Sequence, residues 1–162
     1  MSQGKRNDPT VEPSEADYHY AAGFVDGEGC ITVRVSTSPT AINPSMYASL
    51  TISQVDPRPL QWFAERWGGA LRPLKRRKEG RNDRDAWEWC IVGQQVYRFL
   101  DGALPMLKCK DHQARNALRL RGLRSGSGRG NMLSPAEVAE RQVIRDEALR
   151  LNQRGREWAE LP

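Results

Sequence analysis

Residues 20–29 read Y-A-A-G-F-V-D-G-E-G, and residues 30–36, which follow directly, read C-I-T-V-R-V-S. The two stretches obey different periods. In the first, Gly23 and Gly27 stand four apart, so both fall on one face of a helix. Glycine inside a helix costs about 1 kcal/mol against alanine, so a pair on one face implies a packing reason: a second helix can approach closely there. The second stretch alternates apolar and polar residues and is rich in β-branched side chains, the pattern of a half-buried strand. A helix is therefore expected over residues 15–26, with Ser14 as N-cap and Glu15 and Asp17 in the first turn. The glycines between 27 and 29 should end it. Asp26 and Glu28 then lie at a helix C-terminus, which already carries partial negative charge. A second copy brought up by symmetry would double that conflict. A divalent cation would relieve it by taking a carboxylate from Glu28 together with peptide carbonyls. The plainer alternative is a helix end with two solvated acids and a following glycine.

The rest of the chain arranges itself around this helix-to-strand junction. Residues 46–54 (M-Y-A-S-L-T-I-S-Q) alternate again and pair naturally with the first strand across a turn containing Pro39 and Pro44. Residues 57–67 place Leu60, Phe63, Ala64 and Trp67 at helical spacing, with Gly68 and Gly69 as a stop. Residues 70–78 and 86–92 read as a second hairpin with a long basic tip, with Trp87 and Trp89 in the core. A short helix follows at 94–100 and a longer one at 105–123, carrying Leu107, Ala114, Ala117 and Leu118. Residues 125–130 are a Gly/Ser linker. Ser134 and Pro135 open a last helix to about 152. This order is that of an α+β domain: a four-stranded antiparallel sheet with helices on one face and the other face open. The division expected is a flexible arm at 1–13, a core at 14–123, and a linker with a C-terminal helix at 124–162.

The chain has 162 residues, with 25 Lys and Arg against 20 Asp and Glu, a formal net charge of +5. That balance suits a polyanionic partner, although a solvated basic face would give the same count. The excess is uneven. Arg72, Lys75, Arg76, Arg77, Lys78, Arg81 and Arg84 crowd into the tip of the second hairpin, and a further basic stretch runs from 108 to 129. Clustering of this kind is the electrostatic footprint of a nucleic-acid binder. No apolar run is long enough to span a bilayer, and the polar residues 1–10 lead to the expectation of no secretory leader. Cys30, Cys90 and Cys109 form no disulfide or zinc spacing, and His19 and His112 are isolated. A cytoplasmic or organellar compartment and reduced thiols are expected, and any metal should be a hard cation held by oxygens.

Residues 21–29, A-A-G-F-V-D-G-E-G, resemble the LAGLIDADG motif, with Ala21 in place of its first leucine and Glu28 in place of its last aspartate. The resemblance extends to the αββαββα order and covers roughly residues 14–123. It implies a homing endonuclease: a homodimer, since one motif is present, that makes metal-dependent double-strand breaks in a long, near-palindromic DNA target. Magnesium is the implied cofactor, with calcium or manganese able to substitute in binding. Neither a membrane nor a small-molecule substrate is implied. Glu28 and the Gly27 carbonyl would hold the metal. Ala22, Gly23, Asp26 and Gly27 would line the dimer contact, with Asp26 bracing or capping rather than ligating. Gln54, at the end of the second strand, is similar to the family's strand-end glutamine that orders water; Asp56 competes for that role if the register differs. Arg58 falls where a basic residue often sits near the active-site water. M-L-K-C-K at 106–110 resembles the family's Leu-Lys-x-Lys segment, which gives Lys110 as the lysine near the site, a solvated helix lysine being the alternative. Thr32, Arg34, Arg72, Lys75, Arg76, Arg77, Lys78 and Arg81 are the candidates for DNA contact. The alternatives within the fold are an intron RNA maturase and a DNA-binding protein that does not cut. Outside it stands a basic interaction module that matches the motif by accident.

Overall fold

A computed structural model describes residues 8–36, 45–74, 85–123 and 133–153. Most of the expected arm, the turn after the first strand, the basic tip of the second hairpin and the whole Gly/Ser linker lie outside the described residues.

The described elements run α1 (Glu15–Glu28), β1 (Gly29–Ser36), β2 (Ser45–Gln54), α2 (Pro57–Trp67), β3 (Ala70–Leu74), β4 (Ala86–Val92), α3 (Gln94–Ala103), α4 (Asp111–Leu118) and α5 (Pro135–Leu151). The strands form one antiparallel sheet in the order β1-β2-β4-β3. The α+β architecture is therefore the one expected. Strand alternation settles which face is which. Ile31, Val33, Ala48, Leu50, Ile52, Trp89 and Ile91 point into the core, with Trp89 wholly buried. Thr32 lies opposite Ser49, Arg34 opposite Tyr47 and Arg72 opposite Glu88, all on the other side.

The core is aromatic. Phe63 sits 4.9 Å from Trp89 and 5.4 Å from Trp67, which in turn meets Phe99 at 5.1 Å, ring centre to ring centre. The Trp89 indole N–H donates to the Gly68 carbonyl at 2.7 Å, so the ring is satisfied as well as buried. Gly69 makes this packing possible. Its φ of +92° is a left-handed conformation, and a Cβ there would come within 2.6 Å of the Cys90 carbonyl.

Both expected N-caps form as capping boxes, Ser14 with Asp17 and Ser134 with Glu137. Two expectations need correction. First, α1 runs two residues further than its glycines suggest, because the Gly29 N–H still bonds to the Val25 carbonyl and carries the ladder through Glu28. Second, α3 extends to Ala103, and the single long helix expected at 105–123 is broken. It becomes a 3₁₀ turn at Leu104–Met106, then α4, then a second 3₁₀ turn at Arg119–Gly122. α5 packs into the hydrophobic core. Ile144, Ala148 and Leu151 are buried, and the Asn116 and Gln113 amides donate to the Ile144 and Leu151 carbonyls. At its end the Asn152 amide donates to the Ile31 carbonyl at 2.9 Å. That bond closes part of the free edge of β1, the outermost strand. No helix among the described residues is long and apolar enough to cross a membrane.

Candidate functional site

α1 has two unlike sides. Ala21, Ala22 and Val25 are buried in the chain's own core. This corrects the expectation for Ala22, which is only 1% exposed and is not on an outer contact surface. The outer side carries Ala16, Tyr20, Gly23 and Gly27, all exposed. A Cβ built on Gly23 or Gly27 would meet nothing within 4 Å, so nothing inside the described chain requires glycine there. Gly29 differs: a Cβ would lie 2.9 Å from both the Val25 carbonyl and its Cγ1. The motif's last glycine lets the helix hand over directly to β1.

At that handover Glu28 is exposed. Gly29 pairs with Ile52, so Gln54 lies two residues beyond the junction on β2. It is the strand's last residue, half-buried and opposite Trp87. Asp56 is placed differently: it is the N-cap of α2, accepting the Arg58 backbone N–H at 3.0 Å. Its carboxylate also holds the Arg58 guanidinium, which keeps its pKa down at about 2. Arg58 is thus folded back onto its own helix cap.

Lys110 is not a solvated helix lysine. It precedes α4 with non-helical φ and ψ of −116° and 17°. Its ammonium donates to the Val25 carbonyl at 2.8 Å and to the Asp26 carbonyl at 2.7 Å. A cation at the C-terminus of α1 satisfies orphan carbonyls and offsets the helix dipole. Burial pushes Lys110 below the usual lysine range, against the attraction of the Asp26 and Glu28 carboxylates among other charges. The Asp26 side chain answers from the other side, accepting the backbone N–H groups of Lys108, Cys109 and Lys110 at 2.7, 3.1 and 3.0 Å. Glu28 and Lys110 are thereby brought near each other at the end of α1, while Gln54 and Arg58 stand at the β2–α2 connection.

Of the expected DNA-contact residues, Thr32, Arg34 and Arg72 share the open face of the sheet. Arg72 is occupied: its guanidinium binds Glu88 across the β3–β4 pair, and that partner raises its pKa. Lys75, Arg76, Arg77, Lys78 and Arg81 lie outside the described residues. The open face also carries Cys30, Tyr47, Ser53, Glu88 and Cys90, which sequence reading did not single out. Strand alternation, combined with the Gly29–Ile52 register, would have found them.

No protein-family model matches the chain, and no curated protein matches it in sequence. Solved structures do, and they define its fold: it is that of the LAGLIDADG homing endonucleases, present with one copy of the motif. The homing endonuclease I-CvuI, solved in complex with the I-CreI target in the presence of magnesium, is 24% identical with a TM-score of 0.67, covering 88% of this chain and 87% of that one. The archaeal intron-encoded I-Vdi141I, complexed with DNA, is 15% identical with a TM-score of 0.64 over 89% of each chain. The homing endonuclease I-TnaI is 22% identical with a TM-score of 0.55, over 88% of this chain and 90% of that one.

Proposed function

We propose that this protein is a homodimeric, site-specific DNA endonuclease that uses a divalent metal ion to make double-strand breaks in a near-palindromic target. The observation that carries the reading is the side-chain-poor outer face of α1, ending in an exposed Glu28 beside the half-buried Lys110, at one end of an open, partly basic sheet. Two copies of α1 can pack through Gly23 and Gly27 because no side chain holds their backbones apart. Tyr20, 51% exposed, would be covered by the same contact. A two-fold axis there brings both Glu28 carboxylates to the centre of the DNA surface and predicts two-fold symmetry in the target.

The donor chemistry fits a hard cation. Glu28 supplies carboxylate oxygens, the end of α1 supplies peptide carbonyls, and a DNA phosphate supplies the rest. Among the described residues no group of three or more His, Cys, Asp or Glu is placed to hold a metal. On this reading Glu28 and the Gly27 carbonyl would hold the ion, with the second copy and the substrate completing the donor set. Magnesium suits phosphate best; calcium or manganese should occupy the same oxygens. When bound, such an ion acidifies water and neutralises charge on the phosphoryl group. The chain's own residues do the remainder. Gln54 orients a water toward the phosphorus. Lys110 places a fixed positive charge near the oxygens on which negative charge grows. Arg58 joins them once DNA competes it away from Asp56. Thr32, Arg34 and Arg72, with Lys75, Arg76, Arg77, Lys78 and Arg81 of the hairpin tip, divide phosphate contacts from base reading.

The test is a cleavage selection. The protein and a Glu28→Gln variant are incubated with a randomised duplex library in magnesium, and the ends are sequenced. Metal-dependent ends at one near-palindromic site, lost in the variant, are expected. Enrichment of a duplex without cutting by either protein would leave a DNA-binding protein and remove the nuclease. Enrichment of structured RNA alone would point to a maturase.

A further inference from the structure

Asp26 makes more of the site than its place in the motif suggests. Both of its carboxylate oxygens are in use: Oδ2 accepts from the Lys108 N–H, and Oδ1 accepts from those of Cys109 and Lys110. Each of its oxygens thus holds a backbone donor, although the side chain is only half-buried. The three N–H groups it binds belong to the turn leading into α4, where a helix start favours an anion. In return Lys110 caps the end of α1. The two segments lie more than 80 residues apart in sequence, yet each satisfies polar groups that the other would otherwise leave unpaired. The Lys110 ammonium cannot swing away without stranding the Asp26 carbonyl and taking a charged donor from that of Val25, which keeps the Gly29 N–H. The backbone that carries it cannot relax without stranding three N–H groups.

We propose that Asp26 is the positioning residue for Lys110. It acts on phosphodiester cleavage through the lysine, without touching the DNA or the metal. The proposal rests on the nuclease reading for its catalytic half, and on hydrogen bonds alone for its structural half.

The test compares the full-length wild type with Asp26→Asn, which keeps the side chain's size but turns an amide N–H toward at least one backbone donor. Two readouts are needed. The first is independent of activity: amide hydrogen exchange at residues 108–110, and the rate at which an acylating reagent modifies Lys110, both read by mass spectrometry. Exchange and modification should rise severalfold in the variant, while the exposed Lys108 reacts equally fast in both proteins. The second is cleavage of the selected target. The single-turnover rate should fall on the order of 100-fold, as expected when a catalytic group is displaced by about an ångström. Affinity for the same duplex in calcium should be unchanged, and adding Lys110→Met to Asp26→Asn should cost little more. If Asn compromises folding, Asp26→Glu replaces it, since it keeps the charge but moves the oxygens. Unchanged labelling of Lys110 in a folded variant would overturn the proposal, as would losses from Asp26→Asn and Lys110→Met that simply add. A wild type that cuts no duplex would remove the catalytic half and the nuclease reading together, while the labelling still decides whether Asp26 holds Lys110.

Discussion

Lys110 and Arg58 are the two cations assigned to the site, and they are held in opposite ways. Lys110 is half-buried, its ammonium fixed by two carbonyls of α1 and its backbone fixed by Asp26. Arg58 is 84% exposed at the side chain and folded onto Asp56, two residues away on the same helix cap. One cation is preorganised by contacts that join distant parts of the chain. The other is parked on a local partner that solvent and salt can reach. A preorganised charge contributes at the transition state without reorganising first. A parked one must leave its partner before it can help. The two residues should therefore separate in every assay that weighs rate against stability.

The largest effect is expected from Lys110→Met. Cleavage should fall on the order of 10²–10³-fold, as when one preorganised stabilising donor is removed. The melting temperature should also drop, because two partly buried carbonyls lose a charged donor at a cost of about 1–3 kcal/mol. Single-turnover cleavage and thermal unfolding of the same samples give both numbers. A variant that melts like the wild type would mean that the ammonium does not hold the end of α1. Arg58→Ala should do less. Cleavage should slow about tenfold, equivalent to about 1.4 kcal/mol of barrier, with only a slight fall in melting, since exposed ion pairs contribute little to stability. Equal losses from the two variants would erase the distinction drawn between them.

The same contrast explains what could be read from the chain beforehand. The α1–β1 junction, the caps at Ser14 and Ser134, the pairing of the first hairpin and the burial of Trp89 follow from local period and local chemistry. The Asp56–Arg58 pair is local too, with β2 ending at Gln54 and Asp56 capping α2. The break between α3 and α4 is not local. Leu107, Ala114, Ala117 and Leu118 have helical spacing, and nothing near residue 108 forbids a helix. Where it breaks, a carboxylate 82 positions earlier in the chain binds the N–H groups that a continuous helix would have used, just after the 3₁₀ turn that holds Pro105. The resemblance of residues 106–110 to the family's Leu-Lys-x-Lys segment named Lys110, but neither its bonds to the carbonyls nor the turn that presents it was visible in the spacing. The inward turn of Ala22 was equally hidden, since a helix with small residues on both sides does not say which side meets the sheet.

The smallest effect tests the parked pair by pH. Arg58, chiefly through its side-chain hydrogen bonds, holds the Asp56 carboxyl at about 2 against an ordinary 3.8. A carboxyl with a depressed folded-state value favours folding when ionised. Its contribution is complete above 3.8 and disappears as the pH falls toward about 2. Asp56→Asn isolates this charge, because asparagine caps a helix nearly as well as aspartate. The wild type should melt slightly above the variant at neutral pH, and the gap should close as the pH drops through that window. Added salt should narrow the gap at neutral pH as well, since the pair is open to solvent. A gap that persists at about pH 2, or that ignores salt, would show that Asp56 stabilises α2 by its shape rather than its charge. In that case Arg58 is not held by an ion pair, and its release by DNA would cost less than the contrast with Lys110 requires.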